Sequence, residues 1–115
     1  MIIRVDIDDT ICTKVDGDNY QDANPMFHRI AEINNLYPDH EIIYWTARGT
    51  VTGKDWRKLT ERQFREWGVK YHQLKFGKPH FDLMICDKTF NPNGVDYATA
   101  TLPRWVRCSC EGGPV

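Results

Sequence analysis

The segment Ile2-Ile3-Arg4-Val5-Asp6-Ile7-Asp8-Asp9-Thr10 runs from β-branched residues directly into three carboxylates. Residues 2–7 read as a short buried strand. In an extended strand Asp6 and Asp8 would share a face. If the chain turns after Asp6, Asp8 can still point back over the same site. Clustered carboxylates repel one another and are costly to desolvate unless a cation or strong donors compensate. An exposed acidic turn capped by Thr10 is the plain alternative. The preceding apolar strand favours a site, because parallel sheets bind ligands beyond their carboxyl ends.

Outward from this segment, residues 12–24 are polar and read as a loop or small flap. A helix is expected from Asn24, as cap, with Pro25 in the first position. Phe27, Ile30, Ala31 and Asn34 follow its spacing, and Pro38 stops it. Glu41–Trp45 reads as a second strand ending at Thr46-Ala47-Arg48-Gly49. Residues 53–67 form the clearest amphipathic helix, with Trp56, Leu59, Thr60, Gln63, Phe64 and Trp67 marking one imperfect face and Gly68 as C-cap. Val69 to Leu74 and Phe81 to Cys86 are expected as third and fourth strands. Strands alternating with helices predict an α/β fold with a central, mainly parallel sheet.

The chain has 115 residues, enough for one domain. Residues 1–110 are expected to form it, with 111–115 as a flexible tail. Fifteen basic residues face 16 acidic ones, so no strong general nucleic-acid binding is expected. No run approaches a membrane span and no signal peptide is evident, so a cytoplasmic location is expected. Four cysteines, Cys12, Cys86, Cys108 and Cys110, lack zinc-finger spacing and are expected as free thiols, with Cys12 and Cys86 in the core.

Oxygen donors at the first strand end suit a hard cation such as Mg²⁺. Asp6 could attack phosphorus, while Asp8 protonates the leaving oxygen and later activates water. The Thr46 hydroxyl and the amides near Ala47 could hold a phosphate oxygen. Arg48 could clamp the anion, orient the substrate, or lie solvated on the surface. Lys78, before Pro79, could offset charge beside Asp6, with Lys75 as its competitor. Asp87, after Leu83-Met84-Ile85-Cys86, is a candidate metal ligand, and Asp82 brackets the same run.

Together these residues resemble the haloacid dehalogenase-like phosphatase superfamily, from Asp6 to about Asn91. The family's first motif, two aspartates around one spacer, usually glycine, then threonine, stands here as Asp6-Ile7-Asp8-Asp9-Thr10, with Asp9 in the glycine position. Its second matches Ile42-Ile43-Tyr44-Trp45-Thr46, its third Lys78-Pro79, and its fourth Ile85-Cys86-Asp87-Lys88, with Cys86 where an aspartate is frequent. The resemblance implies a compact three-layer Rossmann-like fold. It implies a nucleophile at Asp6, an acid/base at Asp8 whose carbonyl also binds Mg²⁺, and metal ligation by Asp6, Asp8 and Asp87. It implies phosphate binding by Thr46, Ala47, Arg48 and Lys78.

About 13 residues, 11–23, and about 28 residues, 50–77, fill the positions where larger members carry caps. The chain therefore resembles the small capless members, among them polysaccharide-biosynthesis-associated and phage phosphatases. In these a flap or a neighbouring subunit walls the site, and Tyr20, Asp22 and Asn24 are candidates. The expected function is a Mg²⁺-dependent phosphomonoester hydrolase. Its substrate would be a sugar phosphate, a nucleotide or a phosphorylated polymer end, and a homo-oligomer is an open option. The alternative is a non-catalytic phosphate-ligand-binding or regulatory protein on the same fold.

Overall fold

The computed structural model describes residues 1–82 and 84–88. The chain divides into two units, Met1–His80 and Phe81–Val115. In the first, β1 (Ile2–Val5), α1 (Phe27–Asn34), β2 (Glu41–Trp45), α2 (Arg57–Trp67) and β3 (Gln73–Lys75) follow in order. The strands lie β1-β2-β3, all parallel, with Ile2 opposite Glu41 and Ile43 opposite Gln73. Parallel neighbours need a crossover, which α1 and α2 supply. The unit is a small α/β domain, a three-stranded parallel sheet flanked by two helices, consistent with a Rossmann-like arrangement.

β2 is the middle strand, with Ile42, Ile43 and Tyr44 buried. A parallel strand covered on both faces reads as a continuous apolar run, which is why the expected Glu41–Trp45 boundaries hold. Phe64 of α2 meets Tyr44 edge-on at 4.8 Å and Tyr71 at 5.1 Å. Gly68 ends α2 in the left-handed conformation, φ 71°, and its N–H donates to the Phe64 carbonyl, as its composition predicts.

β1 ends two residues earlier than expected. The Ile7 carbonyl leaves the ladder and accepts the N–H groups of Thr10 (3.1 Å) and Ile11 (2.9 Å). This tight turn buries Ile7, Ile11 and Cys12 completely. Asp9 takes φ 61° within it, a conformation that favours glycine and that aspartate tolerates better than most residues.

The α1 start is also corrected. Pro25 bridges Cys12, and the Met26 N–H donates to the Ile11 carbonyl at 2.8 Å. These bonds hold residues 25–26 outside the helix, so Met26 is the N-cap position, without a side-chain cap bond. Asn24 instead closes the neck of the 12–24 excursion: its N–H donates to Thr13 Oγ1 at 2.9 Å and its carbonyl accepts from Thr13 N–H at 2.8 Å. Phe27 is 61% exposed, and Ile30 carries the buried face of α1. Asn34 ties the helix end to the α2–β3 connection, donating to the Gly68 carbonyl and accepting from Lys70 N–H, both at 2.9 Å. β3 forms later than expected, at Gln73–Lys75 rather than from Val69.

In the second unit, described at Phe81–Asp82 and Met84–Lys88, those residues form no strand. The backbone instead turns at Asp87–Lys88, with Lys88 N–H donating to Cys86 Sγ at 3.5 Å. Strand propensity becomes a strand only where a ladder partner takes its polar groups. Cys86 is exposed rather than in the core. Leu83, the tail, Cys108, Cys110 and the proposed boundary at residue 110 lie outside the described residues. Among the described residues no helix is long and apolar enough to cross a membrane.

Candidate active site

A cavity of about 220 Å³ opens beyond the carboxyl ends of β1 and β2. Asp6 and Asp8 enter it from the turn after β1, and Thr46, Ala47 and Arg48 from the loop after β2. Five of the expected site residues, on two separate strand ends, thus share one cavity. Asp18, Tyr20, Gly49, Val51, Thr52 and His80 also line it. Of the three flap candidates Tyr20 lines it, whereas Asp22 and Asn24 line a separate polar cavity of about 280 Å³.

Asp6 is held at both oxygens. Oδ1 accepts the Ile7 N–H at 2.8 Å, and Oδ2 lies 3.4 Å from Lys78 Nζ. Burial pushes the Asp6 carboxyl above its ordinary value, while the Lys78 ammonium and the Ile7 N–H pull it back. Lys78 reaches Asp6 because its own backbone is pinned to the loop after β2. Its N–H donates to the Thr46 carbonyl at 3.1 Å, and its carbonyl accepts from Thr50 Oγ1 at 2.8 Å. Lys75, the competitor, points out exposed from β3.

Thr46 is buried, and its hydroxyl oxygen accepts the Arg48 N–H at 3.1 Å. Its own N–H donates to the Lys75 carbonyl at 3.0 Å, which continues the sheet ladder past β2. Gly49 follows with φ 82°, its Cα against the Lys54 carbonyl and the Trp56 ring. A side chain at Gly49 would force that loop apart.

Arg48 is not solvated on the surface. It is 2% exposed. Nε donates to Asp8 Oδ2 at 3.0 Å and Nη2 to Asp8 Oδ1 at 2.9 Å, a bidentate pair. Nη1 donates to Thr60 Oγ1 at 3.0 Å and to Gln63 Oε1 at 2.7 Å, and Nη2 also faces Cys12 Sγ at 3.8 Å. A guanidinium has five N–H donors, and these five contacts engage them all. Arg48 thus lines the cavity with its guanidinium bonded to the surrounding protein.

Thr60 and Gln63 were visible only as polar interruptions of an apolar helix face. Buried polar groups need partners, and that interruption was the available signal. The Cys12 thiol donates to Asp8 Oδ1 at 3.5 Å, and burial, then the Asp8 charge, pushes it up to about 12.

Among the described residues no group of three or more His, Cys, Asp or Glu side chains converges on a metal-sized site. Mg²⁺ is commonly held by one or two carboxylates plus substrate phosphate and water, so the oxygen set at Asp6 is of the right chemistry. The Asp8 carboxylate is committed to Arg48, which leaves its main-chain carbonyl as the group the resemblance assigns to metal. Asp87 belongs to the second unit.

No family model matches the chain. No curated protein matches it either. The crystal structure of an MCSG target from Vibrio cholerae is similar, with a TM-score of 0.64 and 23% sequence identity, over 80% of this chain and 84% of that chain. At this identity the similarity shows a shared fold.

Proposed function

We propose that the chain is a capless, haloacid dehalogenase-like phosphatase that hydrolyses phosphomonoesters through an aspartyl-phosphate on Asp6. One observation carries the reading: Asp6, held between the Ile7 N–H and Lys78 Nζ, shares a cavity with Asp8 and Thr46 at adjacent parallel strand ends. The left-handed Asp9 adds support, since the family's glycine stands where such a conformation is easiest. Within this reading the fold is the three-layer Rossmann-like form without a large cap.

Asp6 attacks phosphorus as the bond to the leaving oxygen breaks, and Asp8 gives that oxygen its proton. Water then attacks the phosphoryl group on Asp6 and passes a proton to Asp8, which regenerates both residues. Lys78 and the Thr46 hydroxyl offset charge on the transferring phosphoryl oxygens. A bound Mg²⁺, held by Asp6 and the Asp8 carbonyl, would add Lewis-acid stabilisation of phosphoryl charge. The cavity is smaller than the roughly 300–1,000 Å³ of drug-sized ligand sites. It fits a phosphoryl group with a small organic portion, such as a sugar phosphate, or the end of a nucleotide or polymer.

The alternative, phosphate-ligand binding without turnover, draws on Asp8, whose two carboxylate oxygens are both engaged by Arg48. One assay separates the readings. Phosphate release is measured from sugar phosphates, nucleotides and phosphorylated oligonucleotide ends, with Mg²⁺ or EDTA. Mg²⁺-dependent release that disappears in Asp6→Asn supports hydrolysis. Metal-dependent ligand binding with the ester intact would favour the alternative, and silence in both would remove the phosphate site altogether.

A further inference from the structure

We infer that Arg48 is a positioning residue that sets the Asp8 carboxylate for proton transfer, and that Gln63 sets Arg48; the inference rests on the phosphatase reading. The two parallel bonds from Arg48 fix the plane of the carboxylate, as a single ammonium could not. An acid/base works only when the oxygen carrying the proton points at the reacting atom, and small misplacements are costly in rate.

The guanidinium is itself held from behind. Gln63 Oε1 accepts from Arg48 Nη1 at 2.7 Å, and Gln63 Nε2 donates to the Tyr20 carbonyl at 2.7 Å. Tyr20 lays its ring 4.7 Å from the guanidinium carbon. Gln63 is 4% exposed and sits on α2. One amide thus joins α2, the Tyr20–Asp22 turn and, through Arg48, the proton-transfer group. Sequence alone shows neither link, because Asp8, Arg48 and Gln63 come from three separate segments.

The test compares two phosphate esters. Arg48→Lys keeps the buried charge and loses the fork. Gln63→Met keeps the volume and loses both amide bonds. Melting temperatures verify that each variant is folded, and Gln63→Met carries the test if Arg48→Lys is not. For β-glycerophosphate, whose alkoxide leaving group needs a proton, kcat/KM should fall about 10- to 100-fold in Arg48→Lys, with a smaller loss in Gln63→Met. For p-nitrophenyl phosphate, whose leaving group departs as the phenolate, the loss should stay within about threefold, as should the inhibition constant for inorganic phosphate.

Equal losses on both esters, or no loss in folded variants, overturn the inference. Weakened phosphate inhibition would overturn it by making Arg48 a substrate ligand. A wild-type protein inactive on both esters would overturn the phosphatase reading and this inference with it, a result distinct from an active wild type with indifferent variants.

Discussion

The Lys78 ammonium stands 3.4 Å from Asp6 Oδ2, and the contact depends on neither residue's neighbours in sequence. It is produced by the loop after β2. Thr46 accepts the Lys78 N–H through its carbonyl, and Thr50 donates its hydroxyl proton to the Lys78 carbonyl. The Lys78 side chain also passes the Trp45 ring at 5.8 Å. Charge is thereby delivered to the Asp6 oxygen by backbone pinning on a rigid strand end. In the proposed reaction, a fixed cation at that point would cost little reorganisation as phosphoryl charge develops.

Asp6 should trade stability for function. Its folded-state carboxyl lies above the ordinary 3.8, chiefly through burial. A raised carboxyl favours folding below the ordinary value, and that advantage is lost as pH rises through the folded-state value. At pH 7 the ionised group therefore opposes folding. Asp6→Asn should abolish phosphate release yet raise the melting temperature at pH 7. The carboxylate opens partly to the cavity, so the gain is small, about 2 °C. Melts at pH 7 and near pH 3.5 should show the gain fading on acidification; a gain independent of pH would point away from Asp6 ionisation.

Gly49 should be the least replaceable glycine of the site loops. It has φ 82°, and an added Cβ would collide with the Lys54 carbonyl and crowd the Trp56 ring. Gly53 has φ 77° with open space around its Cα. Urea unfolding of Gly49→Ala should show a loss of about 2–4 kcal/mol, against about 1 kcal/mol for Gly53→Ala. Equal losses would mean that conformation alone, and not the packing against Lys54, governs the loop.

The cysteines should divide by environment. Cys12 is fully buried with its thiol pushed up to about 12, whereas Cys86 is exposed. Only the thiolate reacts readily. Iodoacetamide at pH 8, followed by peptide mass mapping, should label Cys86 on the native protein and Cys12 only after denaturation. Rapid native labelling of Cys12 would contradict the closed packing around Asp8 and Arg48.

Where local signals misled, tertiary contacts, made or missing, were responsible. Asn24 and Pro25 have the composition of a helix start, but Thr13 and Cys12 capture them first. Phe27 has helical spacing and remains exposed, because spacing sets a face without setting what the face meets. The apolar run before Asp87 lacked a strand partner among the described residues, and no propensity substitutes for one.

The order of strands and helices in Met1–His80, the acidic turn after β1 and the Thr46 strand end were legible in the sequence. Each rests on a short-range pattern: an apolar run, a left-handed glycine, a carboxylate cluster at a strand end. The fate of Arg48 was not legible. Solvated clamp and buried fork have the same sequence, and only packing of α2 against the turn after β1 brings Asp8, Thr60 and Gln63 around one guanidinium. Burial then decides the role, since a charge removed from water must spend its donors on the protein that surrounds it.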